Sequence, residues 1–121
     1  MQVLNLDNVS RPLYEAKAEF FRTLGHPVRI RVLELLSERP HAVYELLAEI
    51  ESEPSSLSHQ LAVLRRTGLV EQQRRGGDVV YSIAAPEITE LLRAARAVLL
   101  DVIDDQAQLR KALRAEARLE A

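Results

Sequence analysis

Fourteen residues, SSLSHQLAVLRRTG from Ser55 to Gly68, combine a leucine every three or four positions with an unusual set of polar side chains. Ser55, Ser56, Ser58, His59 and Gln60 come first, Arg65 and Arg66 follow, and Arg74 and Arg75 precede Gly76-Gly77 a few residues on. Hydroxyl, imidazole and amide groups donate and accept hydrogen bonds over short reach, and guanidinium groups seek anionic oxygens. The set suits recognition better than bond breaking. Ser58 and His59 are sequence neighbours, so on a helix their side chains diverge by about 100° and form no nucleophile–base pair.

With Leu57 at zero on a helical wheel of about 100° per residue, Leu61 and Leu64 fall beside it and fix a core face. Ser55, His59, Ala62 and Arg66 then lie on the far side, Ser56 on one flank, and Gln60 at the edge of the core face. Short hydrogen-bonding groups at the front of a helix, a small Ala62 behind them and an arginine farther along suit entry into the major groove of duplex DNA. The plainer reading has the serines capping the helix and His59 simply solvated. One shared face, followed by a basic hairpin, weighs against it. The candidate DNA-contacting residues are therefore Ser55, Ser56, Ser58, His59, Gln60, Arg66, Arg74 and Arg75.

The elements that must hold this face are readable around it. Leu13, Ala16, Phe20 and Leu24 repeat at helical spacing, and Gly25-His26-Pro27 breaks the pattern, with Pro27 able to open the next helix. His26 is expected to make a structural hydrogen bond in that turn. Val28–Glu38 is a second helix, on which Arg29 and Arg31 read as solvated charges. Arg39-Pro40-His41 is a turn with His41 facing solvent or near a cap, and Ala42–Ile50 is a short third helix. A polar break, Glu51–Pro54, separates it from the opening stretch, which Gly68 stops. Leu69–Arg74 and Val79–Ile83 flank Gly76-Gly77, whose positive φ suits a two-residue hairpin. After Pro86 a long helix carries Ile88, Leu91, Leu92, Ala95, Val98, Leu99, Val102 and Ile103.

Composition narrows the function further. The chain has 121 residues, 47% hydrophobic but only 4% aromatic, which favours helices packed through Leu, Val, Ile and Ala around one modest core. With no cysteine, disulfides and thiolate metal ligands are excluded. No apolar run reaches the ~20 residues of a membrane span, and the N-terminus lacks secretory-signal character, so a cytoplasmic location is expected. Net charge is −2, yet residues 55–83 carry four arginines against Glu71 and Asp78, and local potential governs docking on phosphate. No glycine-rich phosphate loop or nucleophile elbow points to an enzyme.

Three stretches, FFRTLGHPVRIRVLELLSE (Phe20–Glu38), SSLSHQLAVLRRTGLV (Ser55–Val70) and RRGGDVVYSI (Arg74–Ile83), give the segment from about Leu13 to Leu92 a resemblance to the ArsR/SmtB family of bacterial winged-helix repressors. The resemblance implies a mainly α (α+β) fold: a winged helix-turn-helix of five or so helices with a two-stranded hairpin wing. It also implies a homodimer joined through the first and last helices, repressing transcription from an imperfect inverted repeat. Many members sense metals. Here the third helix, VYELLAEI, offers no thiolates, and Asp101, Asp104 and Asp105 on the last helix have no histidine after His59 to join them. No metal and no cofactor is therefore expected, because zinc and its neighbours prefer nitrogen and sulfur ligands. Three routes of control stay open: a small molecule at the dimer interface, a partner protein or the chain's own abundance, and DNA binding without an effector.

The wide apolar stripe after Pro86 supports pairing independently, since one small domain has difficulty covering it. The expected dimer surface is Leu13, Phe20, Phe21, Leu91, Leu92, Ala95, Val98, Leu99 and Val102. The expected organisation is an arm at residues 1–11, the winged domain with its dimer helices at 12–105, and a charged helical extension at 106–121. The rival reading is a winged-helix protein-interaction module without sequence-specific DNA binding.

Overall fold

The computed structural model describes residues 11–120, so the expected N-terminal arm lies outside the described residues except for Arg11. Eight elements follow in order: α1 (Leu13–Leu24), α2 (Pro27–Glu38), β1 (His41–Ala42), α3 (Val43–Glu49), α4 (Pro54–Arg66), β2 (Val70–Arg75), β3 (Asp78–Ile83) and α5 (Pro86–Glu120). The chain divides into two units, Met1–Thr89 and Glu90–Ala121, and α5 runs from the first into the second.

Local chemistry sets the helix boundaries. Pro27 opens α2, where its missing N–H costs nothing, and His26 Nδ1 accepts a hydrogen bond from the Val28 N–H at 3.1 Å. That is the structural bond expected of His26. Glu45, in the first turn of α3, reaches back to accept from the Ala42 N–H at 2.9 Å. Gly68, at φ 79°, ends α4, and the Leu69 N–H returns to the Leu64 carbonyl at 3.0 Å, satisfying a terminal carbonyl of the helix.

The core of the first unit sits where α2, α3 and α4 meet. Val32 and Leu33 of α2, Leu46 of α3, and Leu57, Leu61 and Leu64 of α4 are all fully buried. The heptad-like leucine spacing of α4 thus buries the predicted face. Thr89, early in α5, donates to the Ser37 hydroxyl at the end of α2 at 2.9 Å, and Ile88 is buried beside it in sequence.

The sheet has three antiparallel strands in the order β1-β3-β2, so the two-stranded hairpin gains a third strand at its edge. His41 and Ala42 pair with Tyr81 and Val80 of β3. His41 is accordingly not at the solvent: it is 3% exposed, and its Nδ1 lies 2.8 Å from the Arg39 carbonyl oxygen. A two-residue strand is too short to show alternation in sequence. Beyond it β2 and β3 form the expected hairpin, with Gln72 opposite Tyr81 and Arg75 opposite Asp78. Gly76 and Gly77 close it at φ 56° and 90°, the pair of positive values that a type I′ turn requires.

Candidate nucleic-acid interface

The candidate surface is built from α3, the break before α4, α4 itself and the β2–β3 hairpin. α4 begins one residue earlier than the serines: Glu53 holds the N-cap position without a side-chain cap bond, and Pro54 is the first helical residue. Ser55 and Ser56 therefore do not cap the helix. Their hydroxyls stand within its first turn, on exposed residues, where backbone N–H groups lack helical partners and negative charge is favoured.

Ser55, Ser56, Ser58, His59 and Arg66 are exposed, and Ala62 between them is half-buried. Five of the six predicted helix residues are thus exposed. Gln60 is the exception. It is 7% exposed, and its Oε1 accepts a hydrogen bond from Arg29 Nε at 2.7 Å. Gln60 is largely turned into the fold, with its Oε1 engaged by Arg29. The position at the margin of the core face was legible; the partner 31 residues away was not.

Arg29 is corrected by the same bond. Its Nη1 also donates to the Thr23 carbonyl at 2.9 Å, so it is a partly buried bridge, not a solvated charge. Arg31 is exposed and lies 3.4 Å from Glu34, as a surface pair.

The hairpin carries Arg74 and Arg75 at its outer end, both exposed. Arg75 Nη2 donates to Gln73 Oε1 at 3.1 Å, and Tyr81 braces the base of the hairpin by donating to Gln72 Oε1 at 3.2 Å. Among the described residues, no ion pair engages Arg65, Arg66, Arg74 or Arg75. These positive groups are free to meet an external anion.

Acidic side chains also border this surface: Glu53 at the N-cap of α4, and Glu71 and Asp78 on the hairpin, all exposed. Glu45 pairs with Arg39 at 2.9 Å. Its carboxyl is held below the usual carboxylate range, first by the Ala42 N–H and then by Arg39, and Arg39 is raised in turn by the same hydrogen bond. Among the described residues no three His, Cys, Asp or Glu side chains gather as a metal site.

The expected dimer residues fall into three groups. Leu13 and Phe21 on α1 are exposed, and Phe20 is half-buried with its ring edge-on to Phe21 at 5.6 Å. On α5, Leu91 and Leu92 are half-buried. Ala95, Val98, Leu99 and Val102 are exposed, as are Leu100, Ile103, Leu109 and Leu113, which extend the apolar surface.

A short helix, a four-residue break, a second helix with an open polar face, and a basic hairpin after it define a winged helix-turn-helix. Comparison with known proteins makes the assignment specific. Residues 26–72 match the model for bacterial regulatory proteins of the arsR family. The chain is 55% identical over 107 residues to the HTH-type transcriptional regulator Rv0081 of Mycobacterium tuberculosis, covering 88% of this chain and 94% of that one. The crystal structure of Rv0081 superposes with a TM-score of 0.75 at 56% identity, over 80% of this chain and 98% of that one. A transcriptional repressor SmtB homolog of Synechocystis is 35% identical over 76% of this chain and 66% of its own length. The homodimeric winged helix-turn-helix DNA-binding domain Mb0332 of Mycobacterium bovis shares the fold, with a TM-score of 0.65 at 24% identity, over 78% of this chain and 88% of that one. The chain belongs to the ArsR family and is a transcriptional regulator of the ArsR/SmtB type, not an enzyme. No described helix is long and apolar enough to cross a membrane.

Proposed function

We propose that the chain is a repressor that binds an inverted-repeat operator in double-stranded DNA as a homodimer. The observation that carries this reading is the open face of α4. Ser55, Ser56, Ser58, His59 and Arg66 are exposed together on a helix whose opposite side is locked into the core by Leu57, Leu61 and Leu64. Ser56 and His59 reach base edges in the major groove; Ser55 and Ser58 serve the adjoining backbone or bases. Arg66, Arg74 and Arg75 meet phosphates, and the hairpin arginines reach toward the neighbouring minor groove. Two copies related by a two-fold axis put their α4 helices in successive major grooves, about 34 Å apart.

The dimer contact is assigned to exposed and half-buried apolar side chains on each of the two terminal helices: Leu13, Phe20 and Phe21 on α1, and Leu91, Leu92, Ala95, Val98, Leu99 and Val102 on α5. A surface of that size and character marks an interaction site on a soluble chain, and Mb0332 is a homodimer in its own structure. Repression follows the SmtB homolog, which is named a transcriptional repressor. The effector, where one acts, is a small molecule at the dimer interface, a partner protein or the chain's own abundance.

Duplex binding measured against salt tests the reading. Phosphate docking gives a log–log slope near −0.9 per phosphate neutralised, with a solution mass of two chains. A flat salt response and no preference among duplexes would instead support a winged-helix protein-interaction module.

A further inference from the structure

The guanidinium of Arg29 lies between two helices and serves both. Nε donates to Gln60 Oε1 of α4 at 2.7 Å, and Nη1 donates to the Thr23 carbonyl of α1 at 2.9 Å. Thr23 stands in the last turn of α1, among the carbonyls that have no helical partner. A cation there also complements the helix dipole. Thr23 itself is buried, and its hydroxyl donates to the Glu19 carbonyl at 3.1 Å.

Gln60 directly follows His59 and lies one turn after Ser56. The other buried side chains of α4 are Leu57, Leu61, Val63 and Leu64, all apolar. Apolar contacts are non-directional and tolerate a small rotation of the helix about its axis. A hydrogen bond to a planar guanidinium does not, because both its length and its angle are constrained. Base recognition needs side chains held to within a fraction of an ångström.

We infer that Arg29 is a positioning residue: by gripping Gln60 and the end of α1 together, it fixes the rotation of α4 that presents Ser56 and His59. Arg29 touches no base or phosphate. It ties the aim of the recognition face to the seat of α1, the helix that carries Leu13, Phe20 and Phe21. This inference rests on the reading of α4 as the groove-entering helix.

The test uses the full chain, a duplex that the wild type selects from a random-sequence library, and a scrambled duplex of the same composition. Four variants are compared: Arg29→Lys, Gln60→Leu, Gln60→Glu, and the double variant Arg29→Lys/Gln60→Leu. Lysine keeps the charge but lacks the fork, and leucine removes the acceptor. Each of these single changes should lower the preference for the selected duplex by about ten-fold, with the salt slope unchanged because no phosphate contact is lost. The double variant should lose no more than Arg29→Lys alone, since both changes break the bond between Arg29 and Gln60. Gln60→Glu keeps an acceptor for Nε–H and should retain the preference. In the nitrogen-edited NMR spectrum the Arg29 Nε–H signal should be protected from exchange in the wild type and in Gln60→Glu, and lose that protection in Gln60→Leu. That signature reports the grip without DNA, and Gln60→Leu replaces Arg29→Lys wherever the latter fails to fold. Folded variants that keep full preference, losses that add in the double variant, or Gln60→Glu behaving like Gln60→Leu would each overturn the inference. If the wild type itself enriches no duplex, the groove reading fails, and the inference fails with it; the wild-type lane alone identifies that case.

Discussion

His26 and Val28 are joined across the α1–α2 turn: the imidazole Nδ1 accepts the Val28 N–H at 3.1 Å, two residues apart in sequence. An extended backbone at His26, at φ −132° and ψ 125°, points the ring back over the first turn of α2 and satisfies one of its open donors. His26→Ala should lower stability by about 1 kcal/mol, and His26→Asn or His26→Ser should recover most of it. Thermal or urea unfolding checks the ranking. Equal loss in all three would show that the ring acts through packing and not through its acceptor.

The two glycines of the hairpin make a second prediction. Neither Cβ position meets any neighbour, so space is not the constraint; the positive φ values are. Gly77→Val should strain the turn by about 1 kcal/mol or more and weaken duplex binding by disturbing Arg74 and Arg75. Gly76→Asn should be tolerated, because asparagine takes the first position of a type I′ turn readily. Binding and unfolding of the two variants, compared side by side, give the answer.

Residues of α4 and of the hairpin should separate by role. Ser56→Ala and His59→Ala should relax sequence preference, by about 1–3 kcal/mol for a good base contact. Arg74→Ala and Arg75→Ala should weaken all duplexes alike and flatten the salt slope by about one unit per phosphate lost. Titrations over a salt series against selected and scrambled duplexes resolve the two patterns. A hairpin change that alters preference alone would contradict this division.

Glu45 gives a pH-dependent prediction. Its carboxyl sits below the ordinary range because the Ala42 N–H and then Arg39 favour the charged form. A lowered folded value means that this contribution is present above the unfolded carboxylate value and is lost as pH falls through the folded one. Glu45→Gln keeps the oxygen for the Ala42 N–H and loses the charge. Melting temperature should therefore fall less on acidification in Glu45→Gln than in the wild type, with the two curves converging at low pH. Parallel curves across the acid range would show that Glu45 does not couple protons to folding.

Much of the fold was legible because it is local. The spacing of Leu57, Leu61 and Leu64 fixed the buried side of α4, and Gly76-Gly77 between two β-rich runs marked the hairpin. What escaped was set by distant contacts. β1 exists because β3 offers an edge for His41 and Ala42, and two residues carry no period of their own. Gln60 stood at the boundary between faces, and the bond from Arg29 on another helix decided its side. The same bond turned Arg29 from an apparent surface charge into a bridge. The exposed serines and His59 were legible as a group because their shared face follows from helical geometry alone.

The central claim is that α4 lies in the major groove of duplex DNA and does so twice in each complex. Guanine N7 lies on the major-groove edge, so methylation interference on a selected duplex tests both parts at once. Two clusters of interfering guanines should appear on one face of the duplex, centred about 10 base pairs apart or a multiple of that spacing, and His59→Ala should weaken interference within both. A single cluster, or binding indifferent to N7 methylation throughout, would contradict the account.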